Sequence, residues 1–321
     1  MGGDVEIIFV PNGPNTSWRN TLSSHEREPR LRISPITRQH ANATRNHGME
    51  LARCKYIRFL DDDDYLYPTR VAQQYETLER NNADVCAGPV DIIDECGGQV
   101  RRYDLPDTAD IAAASMERNS LPTAYVFLKT VLHGLQWDET LDFNQDTRWM
   151  LDLVAARELH CVRESGASVG VWQQHGGARV SANIDPHVRN NTIVAMLDRA
   201  AAVLDASGRL TPERRRACAN GVWTCAHMAF PFAPRHWSRV MRRALTIDPS
   251  CHSENTIYQL TWRLGIPPLA MEWLSLPERH AMRFIRQLRE SRARSAMAED
   301  LPVNAASSSG ADTSTASLAD E

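Results

Sequence analysis

An apolar, aromatic-rich run in this sequence ends in four consecutive carboxylates. The run spans residues 56–60, and Asp61 to Asp64 follow it directly. A short apolar run bounded by polar residues is typical of a buried strand, and ligands of α/β proteins bind just beyond the carboxyl ends of such strands. The sequence therefore predicts an α/β protein with its chemistry at Asp61 to Asp64.

Four adjacent carboxylates repel one another, which limits how a folded chain holds them. They are either splayed into water or gathered around a cation, and oxygen-only ligands select hard ions such as Mg²⁺ or Mn²⁺. In an extended backbone, Asp61 and Asp63 would share one face and Asp62 and Asp64 the other. Two aspartates could then reach a metal or a diphosphate while a third meets a sugar hydroxyl. The alternative is a solvated acidic turn in which Asp64 caps the next helix.

Neighbouring residues exclude three other classes of acidic site. An EF-hand loop counted from Asp61 requires Gly at its sixth position, where Leu66 stands. A Walker B strand needs a glycine-rich loop ending in Gly-Lys-Ser or Gly-Lys-Thr, and the sequence contains neither. A phosphatase with an aspartate nucleophile would carry Thr or Val where Tyr65 follows the acids.

The surroundings of the four aspartates resemble a known enzyme family. In chain order they are Ala43-Thr44-Arg45-Asn46-His47-Gly48, the apolar run with its aspartates, and Pro68. This order resembles the inverting, A-type-fold glycosyltransferases of the large bacterial polysaccharide-synthase family (glycosyltransferase family 2-like), over about residues 4–182. The resemblance implies an α/β fold with a mixed sheet, flanking helices and a helical C-terminal extension.

The resemblance also implies roles for the acids and for one arginine. Asp61 and Asp62 would lie near the ribose or sugar of a nucleotide-diphosphate sugar donor, and Asp63 would hold Mg²⁺ or Mn²⁺. Arg45 would lie near the diphosphate or brace the metal-binding acids, and a cation close to four aspartates is electrostatically sensible in either role. The alternative for Arg45 is a surface ion pair.

Residues 137–151 resemble the loop and helix that carry the general base of this family. Asp146 matches the aspartate that deprotonates the acceptor hydroxyl, and Gln145 replaces the glutamate that usually precedes it. A carboxylate beside a helix N-terminus also suits a helix cap, which is the alternative for Asp146.

The resemblance assigns two further positions. His175 matches a histidine that completes the metal shell or contacts the diphosphate, although Gln173 stands where arginine is usual. A structural histidine is the alternative. Asn12 follows the strand at 5–10, at the place of an aspartate that contacts the nucleotide base, and its alternative is a tight turn with Gly13. The first strand and helix of the family have no counterpart in this sequence, so we expect a sheet without one interior strand and a less stable domain.

Composition limits the partners and the location. The formal net charge of −4 argues against general nucleic-acid binding. No run of 18 apolar residues and no secretory signal are found, so no membrane span is predicted and a cytoplasmic location is the default. The seven cysteines lack CxxC spacing, which predicts reduced thiols and no zinc site.

The C-terminal part of the sequence carries no motif for chemistry. We predict a glycosyltransferase domain over residues 1–185, a helical extension over 186–294 and a disordered tail over 295–321. Residues 279–294 suggest a basic helix with an apolar side. A solvated helix with an ordinary packed side is the first interpretation, and peripheral contact with an anionic membrane is the alternative.

The resemblance and these features together predict a metal-dependent inverting glycosyltransferase. It would move a sugar from the nucleotide-diphosphate donor to a hydroxyl of a glycan, a lipid-linked molecule or another acceptor, in the synthesis of cell-surface polysaccharide or glycoconjugate. The alternative is a catalytically degenerate relative that binds a sugar or a partner, which the replacements at Asn12, Gln145 and Gln173 favour.

Overall fold

The structure is a computed structural model. It describes residues 5–25, 27–94, 98–106, 108–118, 121–174, 184–251 and 264–299. The chain divides into two compact units, residues 1–271 and residues 272–321. The domain boundaries predicted after residues 185 and 294 stay predictions.

Ten strands form three sheets in the part of the chain that the structure describes. In chain order they are β1 (Ile7–Phe9), β2 (Leu31–Ile33), β3 (Tyr56–Ile57), β4 (Tyr65–Leu66), β5 (Val85–Ala87), β6 (Val90–Ile93), β7 (Gln99–Tyr103), β8 (Tyr125–Leu128), β9 (Cys161–Arg163) and β10 (Gly170–Gln173). Strands β1 and β2 pair in parallel, one larger sheet has the order β3-β8-β5-β9, and the other has the order β4-β10-β6-β7. Both larger sheets are mixed, since β5 and β10 each have one parallel and one antiparallel neighbour.

The helices flank these sheets and continue into a helical C-terminal part. In chain order they are α1 (Trp18–Leu22), α2 (Ala41–Leu51), α3 (Pro68–Arg80), α4 (Ile111–Glu117), α5 (Gln145–Ala156), α6 (Pro186–Ala206), α7 (Pro212–Ala229), α8 (Pro234–Ile247) and α9 (Pro268–Glu299). Helix α7 has a clear N-terminal cap, because the Thr211 side chain accepts a hydrogen bond from the Arg214 N–H and Pro212 is the first helical residue. The predicted fold class, a mixed α/β sheet with flanking helices and a helical extension, is confirmed.

One predicted strand is two strands in the structure. The apolar residues of 84–94 suggest a single strand, but β5 and β6 belong to different sheets and are separated by Gly88 and Pro89. Proline cannot donate to a strand ladder, and a Cβ at Gly88 would collide with the side chain of Val169. The chain therefore changes sheet at this dipeptide.

The main core lies between the β3-β8-β5-β9 sheet and the helices α4 and α5. Strand β8 contributes Tyr125 and Phe127, and α5 contributes Trp149 and Leu153, all of them buried. Helix α4 is also buried, and it packs against α5 and α7. A Cβ at Gly221 of α7 would collide with the Met116 carbonyl of α4, so glycine permits this close crossing.

Strand β1 lies outside the two larger sheets. Among the described residues it pairs only with β2, and Val5 and Ile7 are 56% and 47% exposed. The expected effect of a missing interior strand on stability stays a prediction.

In the part of the chain that the structure describes, no helix combines the length and apolarity that a membrane crossing requires.

Candidate active site at the acid turn

Residues 61–64, called the acid turn from here on, connect β3 of one larger sheet with β4 of the other. The Asp64 N–H donates to the Asp61 carbonyl over 3.1 Å, and the backbone turns at Asp62 and Asp63. The prediction of alternating faces is wrong, because it requires an extended backbone. The acidic-turn alternative is right about the backbone but not about the helix cap, since α3 begins after Tyr67 without a side-chain cap.

Asp64 fastens the acid turn to the protein. Its carboxylate accepts hydrogen bonds from Thr123 Oγ1 at 2.6 Å and from the Gln173 N–H at 3.2 Å. Burial raises the pKa of Asp64 to about 6, although these two hydrogen bonds act in the opposite direction. Asp64 thus has a structural role, and the outward part of the turn consists of Asp61, Asp62 and Asp63.

Arg45 of α2 links the acid turn to α5. Its Nη2 lies 2.7 Å from Asp61 Oδ1 and 3.8 Å from Asp146 Oδ1. Its Nη1 donates to Gln145 Oε1 at 3.2 Å. The guanidinium lies over the Trp137 ring, 4.6 Å from the ring centroid, and the Arg45 side chain is only 13% exposed. The surface-ion-pair alternative for Arg45 therefore does not describe this contact.

Asp146 lies in the first turn of α5 but does not cap it. The N-cap residue is Asn144, which has a left-handed backbone with φ of 55° and donates its side-chain amide to the Arg189 carbonyl of α6. Asp146 Oδ1 is buried and has no hydrogen-bond partner in the described part of the chain. The side chain as a whole keeps 34% of its surface exposed, so the remaining atoms are open to a ligand.

A group of three aromatic side chains, called the aromatic floor from here on, lies beneath Asp146. It consists of Phe59, Trp137 and Trp149. The two indoles stack with centroids 4.7 Å apart, and Phe59 meets both of them edge-on at 5.1 and 5.2 Å. These side chains and Asp146 line a cavity of about 10 Å³. Burial against these apolar side chains is the main cause that raises the pKa of Asp146 to about 6, with Arg45 acting in the opposite direction and the charge of Asp61 in the same direction.

Two asparagines of α2 hold the loop that carries Trp137. The Asn46 side chain accepts from the Trp137 N–H at 2.7 Å and donates to the Trp137 carbonyl at 2.9 Å. Asn42 Nδ2 donates to the Asp138 carbonyl at 2.6 Å. Sequence reasoning assigned no role to either residue. The signal was present, since an asparagine on the inner side of a helix has to satisfy its amide within the protein.

Comparison with known proteins shows which family part of the chain resembles. The family model for glycosyl transferase family 2 matches residues 1–152, a little under half of the chain. Over these residues the chain is similar to glycosyl transferase family 2. The predicted resemblance to an A-type-fold member of this family is thereby confirmed.

Two curated relatives align with parts of the chain. An uncharacterized glycosyltransferase of Methanocaldococcus jannaschii is 26% identical over 160 residues, which are 47% of this chain and 55% of the relative. The poly(ribitol-phosphate) beta-N-acetylglucosaminyltransferase TarP of Staphylococcus aureus is 24% identical over 128 residues, 39% of this chain and 38% of TarP. The chain thus spans about half or less of the length of these relatives.

A solved structure supports the fold. S. aureus TarS 1-349, crystallised in complex with UDP-GlcNAc, superposes with a TM-score of 0.52 at 12% identity, covering 76% of this chain and 79% of that chain. At this identity the likeness shows a shared fold.

The residues that the structure describes do not form a metal site on their own. No three His, Cys, Asp or Glu side chains among them come together to hold a metal ion. Asp61 is engaged with Arg45, while Asp62 is exposed and Asp63 is half-buried at the tip of the turn. A hard cation that shares ligands with a diphosphate needs only one or two carboxylates. The oxygen-only turn therefore suits Mg²⁺ or Mn²⁺ when a diphosphate supplies the other ligands.

The predicted roles of His175 and Asn12 stay predictions. His175 lies outside the described residues. Asn12 forms an isolated parallel bridge with Ile36, and the Gly13 that follows it has φ of 75°. The backbone thus bends at Gly13 directly after the bridged Asn12, and the contact of Asn12 with a nucleotide base stays a prediction.

Proposed function

We propose that this protein is a glycosyltransferase that moves a sugar from a nucleotide-diphosphate donor to a hydroxyl acceptor with inversion. The observation that carries this proposal is the contact of Arg45 with both Asp61 and Asp146. It brings the acid turn and a partly buried carboxylate into one site, although 81 residues separate the two in the sequence (65–145). The match of residues 1–152 to the family model for glycosyl transferase family 2 supports the same reaction class.

In this proposal the acid turn binds the donor. Asp61 and Asp62 meet the ribose or the sugar, and Asn12 meets the nucleotide base. Asp63 would hold Mg²⁺ or Mn²⁺, with His175 as a further ligand. A bound cation would offset the negative charge that grows on the departing diphosphate.

Asp146 is the proposed general base. The acceptor hydroxyl loses its proton to the Asp146 carboxylate while its oxygen forms a bond to the anomeric carbon. The bond from that carbon to the phosphate oxygen breaks, and its electron pair leaves with the nucleoside diphosphate. Burial raises the pKa of Asp146 to about 6, so the carboxylate is a stronger base than an exposed aspartate and is still mostly ionised at pH 7.

The acceptor class is proposed from the relatives. TarP is named for a poly(ribitol-phosphate) acceptor. We infer a comparable role here in the synthesis of cell-surface polysaccharide or glycoconjugate, at the cytoplasmic side of the membrane.

Nucleotide binding tests the donor part of the proposal. We expect UDP or GDP with Mn²⁺ to raise the melting temperature of the full chain, and slow Mn²⁺-dependent hydrolysis of a matching nucleotide sugar. Asp63→Asn should remove the Mn²⁺-dependent part of the stabilisation. Asp142→Asn, an exposed aspartate close to Asp146 in sequence, is the matched control and should leave it unchanged. If no nucleotide raises the melting temperature and no nucleotide sugar is hydrolysed, the donor proposal is wrong and a binding module that lost catalysis remains.

We also propose that α9 contacts an anionic membrane. The predicted apolar side of this helix is exposed in the structure, with Met282, Ile285 and Leu288 at 62%, 42% and 44%. We expect the full chain to co-sediment with phosphatidylglycerol vesicles more than with phosphatidylcholine vesicles, because basic amphipathic helices bind anionic lipid surfaces.

The double variant Met282→Ser, Leu288→Ser should lose most of this co-sedimentation. Leu264→Ser is the matched control, since Leu264 is 71% exposed but lies outside α9. Equal sedimentation of the wild type with both vesicle types, or no loss in the double variant, would contradict membrane contact through α9.

A further inference from the structure

The guanidinium of Arg45 is shared by four side chains. It contacts two carboxylates, Asp61 at 2.7 Å and Asp146 at 3.8 Å, and two amides, Gln145 Oε1 at 3.2 Å and Asn42 Oδ1 at 3.3 Å. The Gln145 amide is held in one orientation, because Gln145 Nε2 donates to the Leu141 carbonyl at 2.8 Å. One positive charge thus faces two negative charges, and its other two neighbours are neutral.

We propose that Arg45 and Gln145 act as a positioning pair, in which Gln145 holds the guanidinium between Asp61 and Asp146 without neutralising it. This inference rests on the proposed role of Asp146 as the general base. It assigns a function to the amide that stands where the resembled family has a glutamate. Arg45 and Gln145 act through Asp146 and do not themselves take part in the proton transfer.

The contacts of Arg45 indicate that it links several side chains in a fixed geometry, and does not only compensate the charge of one carboxylate. A planar guanidinium can stack on an aromatic ring while its edge donates to several acceptors, and an ammonium cannot do both. Arg45 stacks on Trp137 of the aromatic floor and donates along its edge to Asp61 and Gln145. Lysine at position 45 would keep the charge but lose this placement.

Few charged groups act on Asp146. Among the residues that the structure describes, α2 contributes Arg45 and the acid turn contributes Asp61 to the electrostatics of Asp146. On its own helix, the neighbouring Gln145 is neutral, and the aromatic floor beneath it carries no charge. A carboxylate at position 145 would therefore add a third negative charge to a set that holds a single cation.

The test is a direct titration of the Asp146 carboxyl in the full chain by carbon-13 NMR with labelled aspartate. The signal is assigned as the one that disappears in Asp146→Asn. We expect the pKa of Asp146 to rise by about one unit in Gln145→Glu, since a nearby like charge disfavours ionisation. We expect a rise in Arg45→Lys as well, because the displaced ammonium no longer lies between the two aspartates.

Gln99→Glu is the matched control, because the exchange is chemically the same. Gln99 is an exposed residue of β7, in the β4-β10-β6-β7 sheet, and its side-chain amide donates to Asp91 at 2.9 Å. This exchange should leave the pKa of Asp146 unchanged. The inference is overturned if Gln145→Glu shifts this pKa no more than Gln99→Glu does, or if Arg45→Lys behaves like the wild type.

The titration uses the free protein and does not depend on sugar transfer. A shift in Gln145→Glu, combined with no transferase activity in the wild type, would support the placement of the guanidinium between the two aspartates but overturn the proposed function. Activity without a shift would overturn the positioning pair alone. If the enzyme is active, the acid limb of its pH profile should move with the titration, about tenfold in kcat/KM at pH 5 for one pKa unit.

Discussion

Asp146→Asn is expected to lower kcat by a factor of about 10² to 10⁴, the usual contribution of a general base. The amide keeps the size and shape of the side chain but cannot accept the proton of the acceptor hydroxyl. Donor binding should persist, because the acid turn is unchanged. The measurement is steady-state kinetics with the donor and acceptor that support turnover, together with melting temperatures in the presence of nucleotide and Mn²⁺.

The pH dependence of kcat/KM tests the role of Asp146 as the general base in a second way. Burial raises the pKa of Asp146 to about 6, so in the wild type kcat/KM should fall about tenfold per unit below pH 6 as the base becomes protonated. The residual activity of Asp146→Asn should lack this acid limb.

Stability separates loss of the base from loss of the fold. The raised pKa means that the folded protein binds this proton more tightly than the unfolded chain, so the Asp146 contribution to stability falls as pH rises from 4 to 6. The neutral asparagine avoids burial of a charge, and we expect Asp146→Asn to melt no lower than the wild type at pH 7. Asp142→Asn should resemble the wild type in all assays. Retention of wild-type kcat in Asp146→Asn would contradict the proposed base.

Trp149→Ala is expected to lower the free energy of unfolding by about 4 kcal/mol, the usual cost of removing a buried tryptophan from a core. Trp149 is 3% exposed and contacts Phe59, Phe127 and Trp137 through its ring. Its loss would remove one of the three rings of the aromatic floor. It would also remove the ring that stacks on Trp137, over which the Arg45 guanidinium lies. Urea unfolding followed by circular dichroism measures the change.

Trp18→Ala is the matched control for this prediction. Trp18 is only half-buried and touches Phe9 at a centroid distance of 6.2 Å, so its removal should cost about 1 kcal/mol. Trp149→Phe should recover much of the loss because it refills most of the volume. Equal destabilisation by Trp149→Ala and Trp18→Ala would show that the aromatic floor is not a structural centre of the domain.

The sequence alone was sufficient to predict the fold class and to propose the acid turn and Asp146 as parts of one site. The apolar run before Asp61 and the order of motifs from Arg45 to Asp146 predicted an A-type glycosyltransferase, and the family match over residues 1–152 confirms it. Some element positions also have local causes, such as the continuous apolar run of β8 and the Thr211-Pro212 start of α7. These features are local, so neighbouring residues are enough to predict them.

Other features depend on residues that are distant in the sequence. The hydrogen bonds of Asp64 with Thr123 and Gln173 use one of the four acids as a structural anchor, and no pattern within residues 61–64 distinguishes it. One apolar segment forms β5 and β6 in two different sheets, with Gly88 and Pro89 between them. The close contact of Gly88 with Val169 that accompanies this change is made by residues distant in the sequence.

The contact of Arg45 with Asp61 and Asp146 was likewise decided by the tertiary structure. Spacing along a chain does not encode distance in space, and the pKa of Asp146 depends on how the aromatic floor excludes water around it. The sequence named Asp146 and Arg45 as candidates, but only packing placed one cation between two carboxylates. Burial and charge proximity are properties of the folded chain, and for this reason they could not be derived from the order of its residues.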